Sequence, residues 1–327
     1  MTKLSRRKVC TGLATAAGCS FAATTTRAAP VTIRLGYSLA AEEQLWLLMA
    51  KPDLGQNYGK LYTLEATRFT GSSQRAEAFA AGALDLASSG TQGILFAAAE
   101  GIPSTIIASI SKESVGRGFN TTFLALASSS VGNVEDLKGK TVAVNGFSTN
   151  GELWLKTALE RHGLSENDVT VVPIAFPAMA ESLRSGRIDV GEFPQPFDAM
   201  ARAQMTVKTV FTSKEGVPFD EELIDIVGHD DYLKAHSDAV KGFLADLREA
   251  TKFYLDHTQE ARQILIDKKF VRVPADVYLN LKDYDRDPTL RVDINALQKM
   301  QDVQVSAGFQ KKRADIASLV DLSYLPQ

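Results

Sequence analysis

Six short segments of the chain carry polar side chains whose types and spacing suit chemistry. Gly36-Tyr37-Ser38, Gly71-Ser72-Ser73-Gln74 and Gly90-Thr91-Gln92-Gly93 lie in its first third; Asn145-Gly146-Phe147-Ser148-Thr149-Asn150, Phe176-Pro177-Ala178 and Glu192-Phe193 lie in its middle. In open parallel sheets such loops, beyond the carboxyl ends of strands, are where ligands bind. A helix start presents unpaired backbone N–H groups and about half a positive charge, and Ser, Thr and Asn add neutral donors, so the chemistry suits an anion. Tyr37, Phe147, Phe176 and Phe193 would supply flat walls for an aromatic or aliphatic body, or simply fill the core. Arg117, between two glycines, offers a guanidinium for a carboxylate or sulfonate, or stands as a solvated hinge residue. Glu192 suits an amino group or hydroxyl, or a nearby cation of the protein. The competing use of these loops is helix capping, and Thr149-x-x-Glu152 has the spacing of a capping box.

Signatures of catalysis do not accompany these loops. His162, His229, His236 and His257 are scattered without metal-ligand spacing. There is no Gly-x-Ser-x-Gly and no phosphate-loop lysine motif, and Gly116-Arg117-Gly118 lacks the third glycine of a dinucleotide fingerprint. The expectation is a binding protein with no cofactor, no metal and no catalytic residue.

Elements able to position the loops recur. Gly36-Tyr37-Ser38 followed by Leu45-Trp46-Leu47 is matched by Gly146-Phe147-Ser148 followed by Leu153-Trp154-Leu155, and these hold both tryptophans of the chain. Ala76 to Leu86 lines up with Ala180 to Val190, sharing a helix, a glycine, a strand and Asp85 or Asp189. Two matches in one order predict a supersecondary unit used twice, hence two lobes facing a cleft. Strands are expected at 31–35, 62–69, 84–88, 104–110, 121–127, 168–174, 188–192 and 207–211, with 136–144 ending in another. Helices are expected at 42–50, 74–81, 91–99, around Trp154 and at 179–185. Alternating strands and helices predict parallel sheets with helices on both faces. From Ser237 onward the pattern turns helical and is read as returning to the first lobe, which puts lobe 1 at 29–117 plus 222–327 and lobe 2 at 118–221. The chain then crosses near Gly116 to Asn120 and near Pro218 to Ile226, making a hinge.

Residues 1–28 have the layout of a cleavable export signal: Ser5-Arg6-Arg7-Lys8, an apolar run, then Thr26-Arg27-Ala28. The arginine pair suggests the twin-arginine route, although Val9 and Cys10 replace the usual Phe and Leu. Ala16-Ala17-Gly18-Cys19 resembles a lipoprotein box without its Leu, making a lipid anchor the alternative. Both cysteines fall in this segment. Its removal takes away Lys3, Arg6, Arg7, Lys8 and Arg27 and no acid, leaving 31 basic against 39 acidic residues and a formal charge of −8. Such a surface repels nucleic acid. A periplasmic monomer is expected.

Ile33-Arg-Leu-Gly-Tyr37, Ala80-Ala-Gly-Ala-Leu-Asp85, Asp136-Leu-Lys-Gly-Lys-Thr-Val-Ala-Val144, Leu183-Arg-Ser-Gly-Arg-Ile-Asp189 and Gln195-Pro-Phe197 resemble the periplasmic solute-binding proteins of ABC importers. The similarity is to the group that binds sulfonates, nitrate, taurine and aromatic carboxylates and includes the thiamine-pyrimidine-synthase-like proteins. The resemblance implies a two-lobed α/β periplasmic-binding-protein fold that closes on a small organic anion and docks on a membrane permease. It places the ligand against Tyr37, Ser72 to Gln74, Thr91-Gln92, Asn145 to Asn150 and Glu192. The first loop departs from the pattern with Ala40-Ala41-Glu42-Glu43, so a sulfonate site does not carry over unchanged. Two alternatives keep the architecture: a ligand-sensing domain, and a pyrimidine-synthase-like enzyme, against which the lack of a cysteine beyond residue 28 counts.

Overall fold

Short apolar runs alternating with helices fold here into two five-stranded sheets. The computed structural model describes residues 29–327; the expected export segment, with Cys10 and Cys19, lies outside the described residues. The strands are β1 (Val31–Tyr37), β2 (Tyr62–Arg68), β3 (Leu86–Gly90), β4 (Thr105–Glu113), β5 (Thr122–Leu126), β6 (Thr141–Val144), β7 (Thr170–Pro173), β8 (Val190–Phe193), β9 (Val207–Thr212) and β10 (Glu221–Gly228). The helices that flank the strands are α1 (Glu43–Ala50), α2 (Ser72–Ala80), α3 (Thr91–Ala99), α4 (Asn150–Arg161), α5 (Phe176–Arg184), α6 (Phe197–Gln204) and α7 (Ser213–Gly216). The C-terminal part is helical: α8 (Asp230–Ala235), α9 (Ser237–Asp256), α10 (Thr258–Asp267), α11 (Ala275–Leu279), α12 (Ile294–Ser306) and α13 (Ile316–Leu319).

The first sheet runs β2-β1-β3-β10-β4 and the second β7-β6-β8-β5-β9. Both have the same plan. A central strand pairs in parallel with its two neighbours (β1 with β2 and β3; β6 with β7 and β8), and the fourth place holds an antiparallel strand, β10 or β5. The repeated aspartate explains part of this. Asp85 accepts the Arg34 N–H at 2.8 Å and returns its own N–H to the Arg34 carbonyl at 2.8 Å. Asp189 does the same with Thr141, at 2.9 Å each way. Each pair staples the central strand, at Arg34 in β1 and at Thr141 in β6, to the turn that enters its parallel neighbour, β3 or β8.

The sheets are therefore mixed, where alternating strands and helices predicted parallel ones. β5 and β10 are the first strands after the two crossings, Glu113 to Thr122 and Thr212 to Glu221, and each enters its sheet from the opposite side. β10 escaped the sequence reading, which placed a crossing over 218–226, because Glu221, Glu222 and Asp225 interrupt its apolar run. All three are buried and partnered: Glu221 by Lys214 at 2.6 Å, Glu222 by Lys112 at 3.0 Å, Asp225 by the Thr91 hydroxyl at 2.7 Å. Burial of such groups is tolerated only with partners.

The first sheet buries Ile33, Leu35, Leu86 and Ile226 against Val240, Phe243, Leu244 and Leu247 of α9, so the C-terminal helices do return to it. The second packs Leu124, Ala143 and Phe193 against Met179, Leu183 and Ile188. A further cluster joins both halves through Leu95, Trp154 and Leu223. The paired tryptophans do different work. Trp46 donates to the Ser38 carbonyl (3.1 Å), Trp154 to the Glu221 carboxylate (3.1 Å). Among the described residues no helix is long and apolar enough to cross a membrane.

Candidate functional site

Three helices begin at one cavity of about 480 Å³ between the sheets. The first turn of α2 brings Ser72, Ser73 and Arg75; the start of α4 brings Thr149, Asn150 and Gly151; Phe176 opens α5. Gly71, Thr149 and Ala175 precede these helices and none caps its helix with a side chain. The first N–H groups of each helix lack intrahelical acceptors. The expected capping box at Thr149 is not formed. Its hydroxyl donates to the Gly146 carbonyl at 2.7 Å, and Glu152 accepts the N–H of Ser148 instead, at 2.6 Å. Ser148 stands in the left-handed region at φ 57°, as does Ala41 at φ 63° in the corresponding loop of the first half. Both line the cavity. Non-glycine residues held there cost about 1 kcal/mol or more and concentrate at binding sites.

The two halves touch directly across the cavity. Asn145 Oδ1 accepts from the N–H and the hydroxyl of Ser72, at 3.1 and 3.0 Å, which fixes its amide orientation and points Nδ2 away from them. Asn150 donates to the Leu223 carbonyl at 3.0 Å. Asn145 Nδ2, Asn150 Oδ1 and Arg75 Nε are buried without a hydrogen-bond partner, and all three residues line this cavity. Unpaired buried polar atoms are costly, and their concentration at one concave surface marks where a ligand's atoms belong.

Arg75 was not foreseen. It is 3% exposed, with Nη1 3.9 Å from Oε1 of Glu42, and burial pulls its pKa down while Glu42 pushes it up. Glu42 also accepts the Ser38 N–H at 3.0 Å and the Ser88 hydroxyl at 2.7 Å; burial raises its pKa against these contacts. Gly36 makes room for this pair, since a Cβ there would lie 3.3 Å from Arg75 Cγ and 2.5 Å from Leu84 Cδ1. The signal was present in the sequence. Arg75 shares a helix face with Phe79, four residues on, and two glutamates, Glu42 and Glu43, stand at the start of α1.

Glu192 lies at the other side. One oxygen accepts the Asn145 N–H at 2.8 Å, and the carboxylate packs on Gly151, where a Cβ would meet Oε2 at 2.2 Å. It forms no ion pair with any described Lys, Arg or His, so of the two uses open to it in the sequence the pairing with a cation of its own lobe is not formed. Burial, with a smaller push from the charge of Glu113, raises its pKa to about 7.

The structure brings Ser38, Ser72, Ser73, Asn145, Phe147, Ser148, Thr149, Asn150, Phe176 and Glu192 to the cavity. The other expected residues point elsewhere. Tyr37 is half-buried against both neighbouring cores, and Phe193 is buried among Leu124, Ala143 and Met179. Gln74 is exposed on the outer side of α2. Thr91 and Gln92 face inward and bind Asp225 and Glu221, at 2.7 and 2.8 Å. Their loop was read as a site because Thr and Gln donors look alike whether they serve a ligand or a buried acid. Arg117 is largely exposed at the crossing, tied to Asp220 and Asp285 at 3.1 and 3.0 Å, away from the cavity.

The family described as "NMT1/THI5 like" matches residues 64–261, more than half of the chain. The chain belongs to the NMT1/THI5-like family. It is also 24% identical over 270 residues to a protein of Escherichia coli (strain K12) named "Putative aliphatic sulfonates-binding protein", covering 82% of this chain and 80% of that one. Among solved structures, the alkanesulfonate-binding protein SsuA from Xanthomonas axonopodis pv. citri bound to MOPS superposes with a TM-score of 0.73 at 21% identity, over 90% of this chain and 99% of that one. A Candida albicans protein described as having the generic periplasmic binding protein fold superposes with a TM-score of 0.71 at 14% identity, over 90% and 98%. The fold of this NMT1/THI5-like chain is thus the periplasmic-binding-protein fold.

At this cavity, the variant Ser148→Ala with Thr149→Ala is expected to weaken ligand binding. It should shift unliganded stability by about 1 kcal/mol and no more than about 2, because only the local Thr149–Gly146 bond is lost. Titration calorimetry and denaturant unfolding read the two effects separately.

Proposed function

We propose that this protein is the solute-binding component of an ABC importer of the sulfonate type, exported to the periplasm, and that it captures a small organic anion and delivers it to a membrane permease. The observation that carries the reading is the meeting of Arg75 and the start of α2 with Asn145 at the cavity, where Arg75 Nε and Asn145 Nδ2 are buried donors left unpaired. The acid group of the ligand sits there, against Ser72, Ser73, Arg75 and Asn145. Phe147 and Phe176 line the space for its body. A cavity of about 480 Å³ suits an organic acid with an aliphatic chain or one ring, such as a sulfonate or an aromatic carboxylate. The relatives' names support a sulfonate ligand, and the same donors would hold a carboxylate.

Lobe 1 is taken as 29–117 plus 222–327 and lobe 2 as 118–221, hinged at the two crossings. Ligand donors and acceptors from both lobes stabilise the closed state by differential affinity. Glu113, buried at the hinge, accepts the N–H and hydroxyl of Thr121 at 2.9 and 2.6 Å and the hydroxyl of Ser213, which joins both crossings. The test is a melting-shift screen of the purified protein against alkanesulfonates, taurine, nitrate, aromatic mono- and dicarboxylates and pyrimidines. A ligand at a hundred times its Kd adds about 2.7 kcal/mol of stability. Shifts with organic acids and none with pyrimidines are expected; shifts with pyrimidines alone would move the reading to the pyrimidine-synthase-like alternative.

A further inference from the structure

The cavity is polarised. On the α2 side it holds Arg75 and the start of α2, whose Ser72 N–H is shared with Asn145 Oδ1; on the α4 side the protein's own carboxylate is already in place, since Glu192 takes the N–H of Asn145 in the loop before α4 and lies on Gly151 in its first turn. A second acid group of a ligand placed there would meet a like charge in a buried setting, where repulsion is poorly screened. The same carboxylate has one oxygen engaged by Asn145 and no cationic partner among the described residues, so it has capacity for another donor.

Resting on the function proposed above, we infer that Glu192 selects the ligand: the bound molecule is an aromatic monoacid that carries an amino or hydroxyl group remote from its acid group. The acid meets the start of α2, the ring passes between Phe147 and Phe176, and the donor ends on Glu192. Dianionic phthalate-like acids, which the broader reading allows, are disfavoured above about pH 7, where Glu192 is ionised.

Matched pairs of equal shape test it: 4-aminobenzoate against 4-methylbenzoate, and 4-aminobenzenesulfonate against 4-methylbenzenesulfonate, by titration calorimetry on the purified protein. The amino member of a pair should bind about tenfold tighter or more, as expected for one hydrogen bond to a buried charged group. In Glu192→Gln the preference should fall below about threefold, because the amide keeps an acceptor for the Asn145 N–H and turns its own N–H₂ toward the ligand. A wild-type pH series gives the same answer without a variant. Glu113 lies behind Glu192, and Arg75, Glu77 and Tyr284 line the same cavity. The amino preference should shrink as pH falls from about 8 to about 5.5 and Glu192 takes up a proton. Equal affinity within both pairs, or a preference unmoved by Glu192→Gln or by pH, overturns the inference and leaves the organic-acid reading intact. Failure of every member to bind overturns the inference, and overturns the organic-acid reading as well only if alkanesulfonates and taurine also fail.

Discussion

Arg75→Met is expected to weaken binding of an organic acid about 10- to 100-fold, the loss of a charge-assisted hydrogen bond of roughly 1.5–3 kcal/mol. The same change removes the one cation that pairs with the fully buried Glu42 among the described residues. Stripping one partner from a buried ion pair costs about 3–5 kcal/mol. The lower end applies here, since Ser38 and Ser88 still donate to Glu42, and burial already raises its pKa so that it can take up a proton. The double variant Arg75→Met with Glu42→Gln separates the two roles. Its denaturant midpoint should return most of the way to wild type while affinity stays at the single variant's level. Wild-type affinity in the stable double variant would mean that Arg75 serves Glu42 alone and that the α2 helix start and Asn145 hold the acid group unaided.

Much of this arrangement was legible in the chain because it is written in repeated local patterns. The Gly-aromatic-Ser loops, the Gly82 and Gly186 turns and Asp85 with Asp189 marked two copies of one unit, and both copies fold to one plan. Serines and asparagines of those loops do reach the cavity. What stayed hidden depends on contacts distant in sequence. Thr91 and Gln92 resemble ligand donors until Asp225 and Glu221, more than a hundred residues later, are seen to claim them. β10 carries three acids that only partners on other elements make tolerable in a strand. Tyr37 and Phe193 follow the same rule in reverse: an aromatic beside a glycine loop looks like a wall of a site, but strand alternation turned both into the packing. Arg75 was passed over because a helix arginine is ordinarily solvated, and its burial follows from Gly36 and Glu42, neither of them adjacent to it in the chain.

The unliganded protein should be more stable near pH 5 than near pH 8, by about 3 kcal/mol from Glu192 alone. Its carboxyl titrates near 4.5 when unfolded and at about 7 in the fold, where burial disfavours the charge and no cation among the described residues answers it. With each unit worth about 1.36 kcal/mol, the folded state binds this proton more tightly, so the contribution is fully present below about 4.5 and disappears as pH rises through about 7. Glu221 acts in the same direction, with Lys214 opposing the shift. Denaturant midpoints measured across this range should therefore fall with rising pH in the wild type and fall less steeply in Glu192→Gln, which keeps only the share of the other buried acids such as Glu221, Glu222 and Asp225. A wild-type profile that is flat, or that rises with pH, would show that Glu192 is ionised throughout. The slope also reports on binding. A ligand donor resting on Glu192 stabilises the ionised form, so saturation with such a ligand should flatten the profile toward that of the variant, whereas a ligand that leaves Glu192 untouched should raise the whole curve without changing its shape.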